Sequence, residues 1–103
     1  MTDGQLLASY ADDGSREALD RLVERHAPMV YSTCLRVTGS RRLAEDAARA
    51  VFLLLFRRAG ALAGRRTVCG WLHATAYRAA CRALEESGGE EILVETRELA
   101  AVD

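Results

Sequence analysis

Lysine is absent from the chain, so every basic side chain is an arginine, and proline occurs once, at Pro28. With one proline and no alternating run of β-branched residues, little favours a sheet. The commonest residues, Ala, Arg, Leu and Glu, are strong helix formers. Long apolar runs are missing too: the longest, Val51 to Phe56, falls far short of the roughly 20 residues that span a bilayer. The opening Met1-Thr2-Asp3-Gly4 has neither the basic nor the apolar region of a signal peptide. Cys34, Cys69 and Cys81 are an odd count without a C-x-x-C pair. That pattern fits free thiols in a reducing cytoplasm rather than a disulfide scaffold. What remains is 103 residues with a 50% hydrophobic fraction, enough for one folded domain with a modest core.

The net charge of −1 conceals a sharp segregation. Residues 1–35 carry three arginines against six acids, and residues 83–103 carry Arg97 against seven. Between them, residues 36–82 carry ten arginines against only Glu45 and Asp46. A basic middle between acidic flanks is the asymmetry that binding to a polyanion requires. High-GC coding would account for arginine in place of lysine, but not for the acids avoiding the middle.

Helical periodicity predicts four segments. The first covers about Gly4 to Ala11 and ends at Asp12-Asp13-Gly14. The second runs from an N-cap at Ser15 to about Thr38, with Gly39 closing it, and Pro28 is expected to kink or split it. The third starts from an N-cap at Ser40 and ends near Gly60; the fourth covers about Gly70 to Glu86. The expected architecture is all-α, a compact bundle of three to four helices. It occupies residues 1–86, and residues 87–103 form an acidic tail or linker. Within that tail, Glu90 to Asp103 reads as a short helix, an alternating strand or partly disordered chain.

Two helix faces bear on function. On the third helix, Ala44, Ala47, Ala48, Val51, Phe52, Leu55 and Ala59 form an apolar face. Opposite lie Arg42, Asp46, Arg49, Leu53 and Arg57. A leucine inside a charged stripe reads as the apolar anchor of a partner contact, or as one of the isolated exposed leucines common on any surface. On the fourth helix, Leu72, Ala76, Ala79, Ala80 and Ala83 face a neighbour, while Trp71, Thr75, Arg78 and Arg82 fall on another line. Arg65-Arg66 precede them in a glycine-flanked loop. Arginines supply phosphate contacts and an adjacent aromatic can stack on an unpaired base. Equally, Trp71 can be a core residue and the arginines a solvated face.

Catalysis is not expected, and neither is a cofactor. His26 and His73 have no evident Ser, Cys or Asp partner motif, and no glycine-rich phosphate loop follows a strand. Cys69 and His73, at i and i+4, could begin a metal site but lack clear further ligands, so no metal is expected. Cys34 and Cys81 read as small core hydrophobes.

The stretch Leu43-Ala44-Glu45-Asp46-Ala47-Ala48, continuing to Val51-Phe52-Leu53, resembles a helix of the extracytoplasmic-function (ECF) sigma factors. Gly70-Trp71-Leu72-His73-Ala74-Thr75-Ala76 is similar to a second segment of their region 2. The opening also matches, through Leu6-Leu7-Ala8, Glu17-Ala18-Leu19, Leu22-Val23-Glu24-Arg25-His26 and Pro28-Met29-Val30-Tyr31. The resemblance covers roughly residues 3–86. It implies that the helix carrying Arg42, Asp46, Arg49, Leu53 and Arg57 docks on the clamp helices of the largest RNA polymerase subunit. It further implies that the stretch with Arg65, Arg66, Trp71, Thr75, Arg78 and Arg82 engages promoter DNA at the minus-ten element and helps to melt it by capturing a flipped base.

The chain departs from the family pattern at several of these positions. Arg49-Ala50 stand where the family usually has Gln-Glu, and Arg78 and Arg82 lie near its usual Asn and Asp. The fourth helix ends in Glu85-Glu86 instead of basic residues, and no second helix-turn-helix domain follows. A region-2 fragment or a single-domain sigma-like factor is therefore expected. The alternative is a sigma-like interaction module that binds a protein partner, such as an anti-sigma factor, without reading DNA.

Overall fold

Thr2 opens the first helix with a reciprocal cap: its hydroxyl accepts from the Gln5 amide at 3.1 Å, and the Gln5 side chain accepts from the Thr2 amide at 2.8 Å. The computed structural model describes residues 1–88. Expectations for the tail from Glu90 to Asp103 lie outside the described residues. Helix α1 spans Asp3–Asp13 and stops at Gly14, whose φ of 68° is the left-handed conformation that glycine adopts without penalty. Ser15 then caps α2 (Arg16–Thr38) by accepting from the Ala18 amide at 3.2 Å.

Of the two outcomes expected at Pro28, a kink or a split, the split does not occur: helix α2 runs through it unbroken. A proline inside a helix costs about 3 kcal/mol, but Pro28 is exposed, and Leu22, His26, Val30, Thr33 and Cys34 are buried on the same helix. Each fully buried Leu or Val contributes about 1.5–3 kcal/mol, so packing on both sides of the proline outweighs the missing hydrogen bond. Gly39 closes α2 in the left-handed conformation, and Ser40 immediately caps α3 (Arg41–Arg57). The buried Thr38 hydroxyl donates to the Cys34 carbonyl at 2.9 Å and accepts from the Ser40 amide at 3.2 Å, which satisfies this two-residue turn internally.

Helix α3 ends earlier than the periodicity suggested. The Arg58 amide closes it on the Leu54 carbonyl at 3.0 Å, and a single separate turn, α4 (Ala59–Leu62), follows. That turn tucks Ala59 and Leu62 inward, and α4 packs against α1. After a loop, α5 covers Cys69–Glu86. The described residues thus form five helices and no strand. Helices α2, α3 and α5 pack pairwise into a bundle, and α1 lies across α2 and α4.

The core forms largely where the periodicity placed it, with Leu62 and Val68 added from the stretch between the third and fourth expected helices. Leu6, Leu7, Leu22, Val30, Val51, Leu55, Val68 and Leu72 are fully buried. On α3, Ala44, Ala47 and Phe52 join them and Ala48 is half-buried; on α5, Ala76 and Ala80 are buried, while Ala79 and Ala83 are half-buried. Cys34 belongs to this core, its thiol pushed up in pKa by burial and directed at the Ala76 carbonyl at 3.7 Å. No helix among the described residues is long and apolar enough to cross a membrane.

Candidate functional site

The solvent-facing side of α3 is a ridge between two grooves. On the α5 flank, Asp46, Ala47, Ala50, Leu54 and Arg58 face Trp71, Thr75, Arg78, Ala79, Arg82, Ala83 and Glu86 across a groove of about 470 Å³. On the α2 flank, Glu45, Ala48, Arg49, Phe52, Leu53 and Phe56 face Val23, Ala27 and Tyr31 across a groove of about 490 Å³. The charged stripe read from the sequence is the crest of this ridge, and the structure divides it. Asp46 turns to the α5 side, Arg49 and Leu53 to the α2 side, and exposed Arg42 and Arg57 lie towards the two ends. Asp46 sits between two arginines, 3.9 Å from Arg42 and 3.3 Å from Arg49. Leu53 is 57% exposed, the most exposed large apolar side chain on the described helices.

Trp71 combines the two roles that the sequence left open. It is half-buried, packed on the core on one side and lining the α3–α5 groove on the other. Arg78 and Arg82 are exposed and line the same groove, joined from α3 by Arg58. Thr75 differs from its sequence expectation as a surface contact. It is only 5% exposed, and its hydroxyl lies 3.5 Å from an Arg78 guanidinium nitrogen, so it supports Arg78 from beneath. The cause is geometric: Thr75 precedes Ala76 on the flank of α5 that turns inward. Arg65 and Arg66 are exposed but do not line the groove; they sit on the loop leading into α5.

That loop is held by a buried carboxylate. Asp3, 3% exposed, accepts from Arg25 at 2.8 Å and from the His26 Nε2–H at 3.0 Å through one oxygen. Its second oxygen accepts from the Thr67 hydroxyl and the Val68 amide, each at 3.0 Å. Burial alone would raise this carboxyl; the bonds from His26, Val68, Arg25 and Thr67 outweigh it and hold the pKa at about 2. His26 therefore has an Asp partner after all. The pair is separated by 23 positions in sequence and meets because α1 folds back on α2. Among the described residues no cluster of three or more His, Cys, Asp or Glu side chains is placed to hold a metal, and Cys69 and His73 are both exposed.

A family model described as sigma-70 region 2 matches residues 22–88, about two thirds of the chain. The chain belongs to the sigma-70 region 2 family. Region 2 of sigma-70 is a non-enzymatic transcription-factor domain, generally involved in binding core RNA polymerase and recognising the minus-ten promoter element. No curated protein and no solved structure matches the chain. The region 2 match begins within α2 and runs through α5, so the residues lining both grooves all fall inside it and α1 lies outside.

Sequence reasoning missed three features of this region 2 domain. Arg58 escaped notice because α3 was expected to continue past it; its adjacency to Arg57 was the available signal. Tyr77, 56% exposed, stands on a different flank of α5 from Trp71, since six residues advance about 240° around a helix. The Asp3 network joins positions up to 65 residues apart and left no local signal.

Proposed function

We propose that this domain is the polymerase-docking and promoter-melting part of an ECF-type sigma factor. The observation that carries the reading is the α3–α5 groove, where Arg58, Arg78 and Arg82 surround the accessible side of Trp71. A base stacked on an aromatic ring gains about 1–3 kcal/mol. Unpairing that base costs a few kcal/mol. Stacking alone therefore does not drive melting, and arginines beside the indole supply the phosphate contacts that tip the balance. Arg65 and Arg66 extend the basic surface beyond the groove, and Thr75 acts through Arg78.

The polymerase contact is assigned to the crest and α2 flank of α3. An apolar trough with Phe52, Leu53 and Phe56 along one wall suits a helix laid into it. Arg42, Asp46, Arg49 and Arg57 provide a charged rim around the Leu53 anchor. The partner is taken to be the clamp helices of the largest subunit.

A second reading is a protein-interaction module that engages an anti-sigma factor or similar partner without DNA. It is favoured by Arg49 and Ala50, which replace two polar residues usual in ECF proteins. Glu86, at the end of the DNA-facing groove, favours it too. Titration of the full chain at low salt against a labelled single-stranded minus-ten oligonucleotide and against a clamp-helix fragment separates the readings. Binding to both is expected, with Arg78→Ala and Arg82→Ala each lowering the salt slope by about one. Clamp binding without DNA supports the module, and failure to bind either partner refutes the proposal.

A further inference from the structure

We infer that α1 is the positioning element for the Arg65-Arg66 loop, with Asp3 and Gly4 as the positioning residues. The inference rests on the reading that this loop contacts promoter DNA, and it adds an element outside the matched region 2 segment.

The loop between α4 and α5 is short and irregular, with Gly64 next to two exposed arginines. Left to itself, such a segment samples many conformations, and a ligand that uses it must bear the cost of ordering it. Here it is fixed on both sides of the arginine pair. On one side, α1 passes so close that a Cβ on Gly4 would overlap the Arg65 carbonyl oxygen and lie 2.6 Å from that of Ala63. On the other side, Asp3 accepts from both the Thr67 hydroxyl and the Val68 amide.

The same carboxylate stands at the entrance to α5. Val68 at the N-cap has no side chain that can cap α5, and Asp3 supplies from another helix an acceptor and a negative charge at the positive end of the dipole. Thr67 relays the contact by accepting from the Cys69 amide at 3.2 Å. The helix bearing Trp71, Arg78 and Arg82 and the loop bearing Arg65 and Arg66 thus take their register from one side chain.

Burying a carboxylate merely to stabilise the fold is inefficient, because a well-packed apolar side chain does as well. A carboxylate with four partners drawn from α2, the loop and the N-terminus of α5 instead specifies one arrangement of those parts. Arg25 and His26, on α2, anchor Asp3 to the bundle, so the loop is referred to the core rather than to α1 alone.

A double-mutant cycle on the full chain tests this, read as affinity for a fluorescein-labelled single-stranded minus-ten oligonucleotide. The variants are D3N, T67V, the pair R65A/R66A, and each of the first two combined with that pair. Loss of a pre-ordered loop is expected to weaken binding about tenfold in D3N and about threefold in T67V. In the D3N background R65A/R66A should cost little more, and affinity of D3N for the clamp-helix fragment should be unchanged. T67V, which leaves Arg25 and His26 on Asp3, keeps the test available if D3N does not fold. If R65A/R66A weakens DNA binding but D3N and T67V do not, or if the losses multiply, the inference is overturned while the DNA reading stands. If R65A/R66A has no effect, the assignment of the loop to DNA falls, and the inference with it.

Discussion

Replacing Gly4 by alanine tests the close approach of α1 with a sign opposite to the ordinary one. In an exposed helix interior, glycine to alanine stabilises by up to about 1 kcal/mol, since alanine loses less backbone freedom on folding. At position 4 the new methyl would meet two backbone carbonyl oxygens, those of Arg65 and Ala63, the latter at 2.6 Å. Neither is the end of a flexible side chain, so α1 or the loop must shift. Overpacking of this kind costs about 1–3 kcal/mol, which exceeds the propensity gain. In a domain of this size 1 kcal/mol corresponds to roughly 4–8 °C in Tm. Urea unfolding of Gly4→Ala should therefore give a lower midpoint, with Gly60→Ala as control, since a Cβ at Gly60 meets nothing within 4 Å. A Gly4→Ala protein as stable as the parent would refute the packing argument.

The Asp3 carboxyl, held at about 2 against an ordinary 3.8, contributes stability above the ordinary value that is lost as pH falls towards 2. The shift corresponds to about 2 kcal/mol, so the stability difference between parent and D3N should shrink by about that much between pH 4 and 2; a constant difference would count against the network. Leu53→Ala should alter stability by less than about 0.5 kcal/mol yet weaken clamp-helix binding about tenfold, and unchanged binding would remove Leu53 from the interface. Thiol labelling under native conditions should modify exposed Cys69 rapidly and Cys34 only on unfolding, because Cys34 is buried with its thiol raised in pKa; equal rates would contradict the core assignment.

Local chemistry made most of the bundle legible. Ser15, Gly39 and Ser40 carry recognisable capping signals, and each acts where its residue type suggested. The apolar repeats of α3 and α5 gave their buried faces for the same reason: a period of 3.6 is a property of neighbours in sequence. A break at Pro28 was a fair local expectation, because propensity is a local quantity and the packing that keeps α2 continuous there is not. The α3 ridge was seen as one stripe, since periodicity gives an angle around a helix but not which helices stand on either flank. The burial of Thr75 was not legible for a related reason. A threonine at the edge of a polar line is indistinguishable by spacing from one just inside the core. The link from Asp3 to Val68 exists only after three helices have assembled.

The ridge of α3 also acts as a gauge. Because its two flanks wall two different grooves, anything held in one is separated from anything held in the other by the thickness of a single helix, about 10–12 Å. No hinge or loop intervenes within α3, so the spacing is set by a single continuous helix. An inserted residue within α3 would turn every later side chain by about 100°, moving Leu53 and Phe56 away from their trough and Arg58 away from Trp71 in one step. A chain that uses one helix as a ruler in this way tolerates a changed side chain as a local loss, whereas a change of length displaces both grooves together.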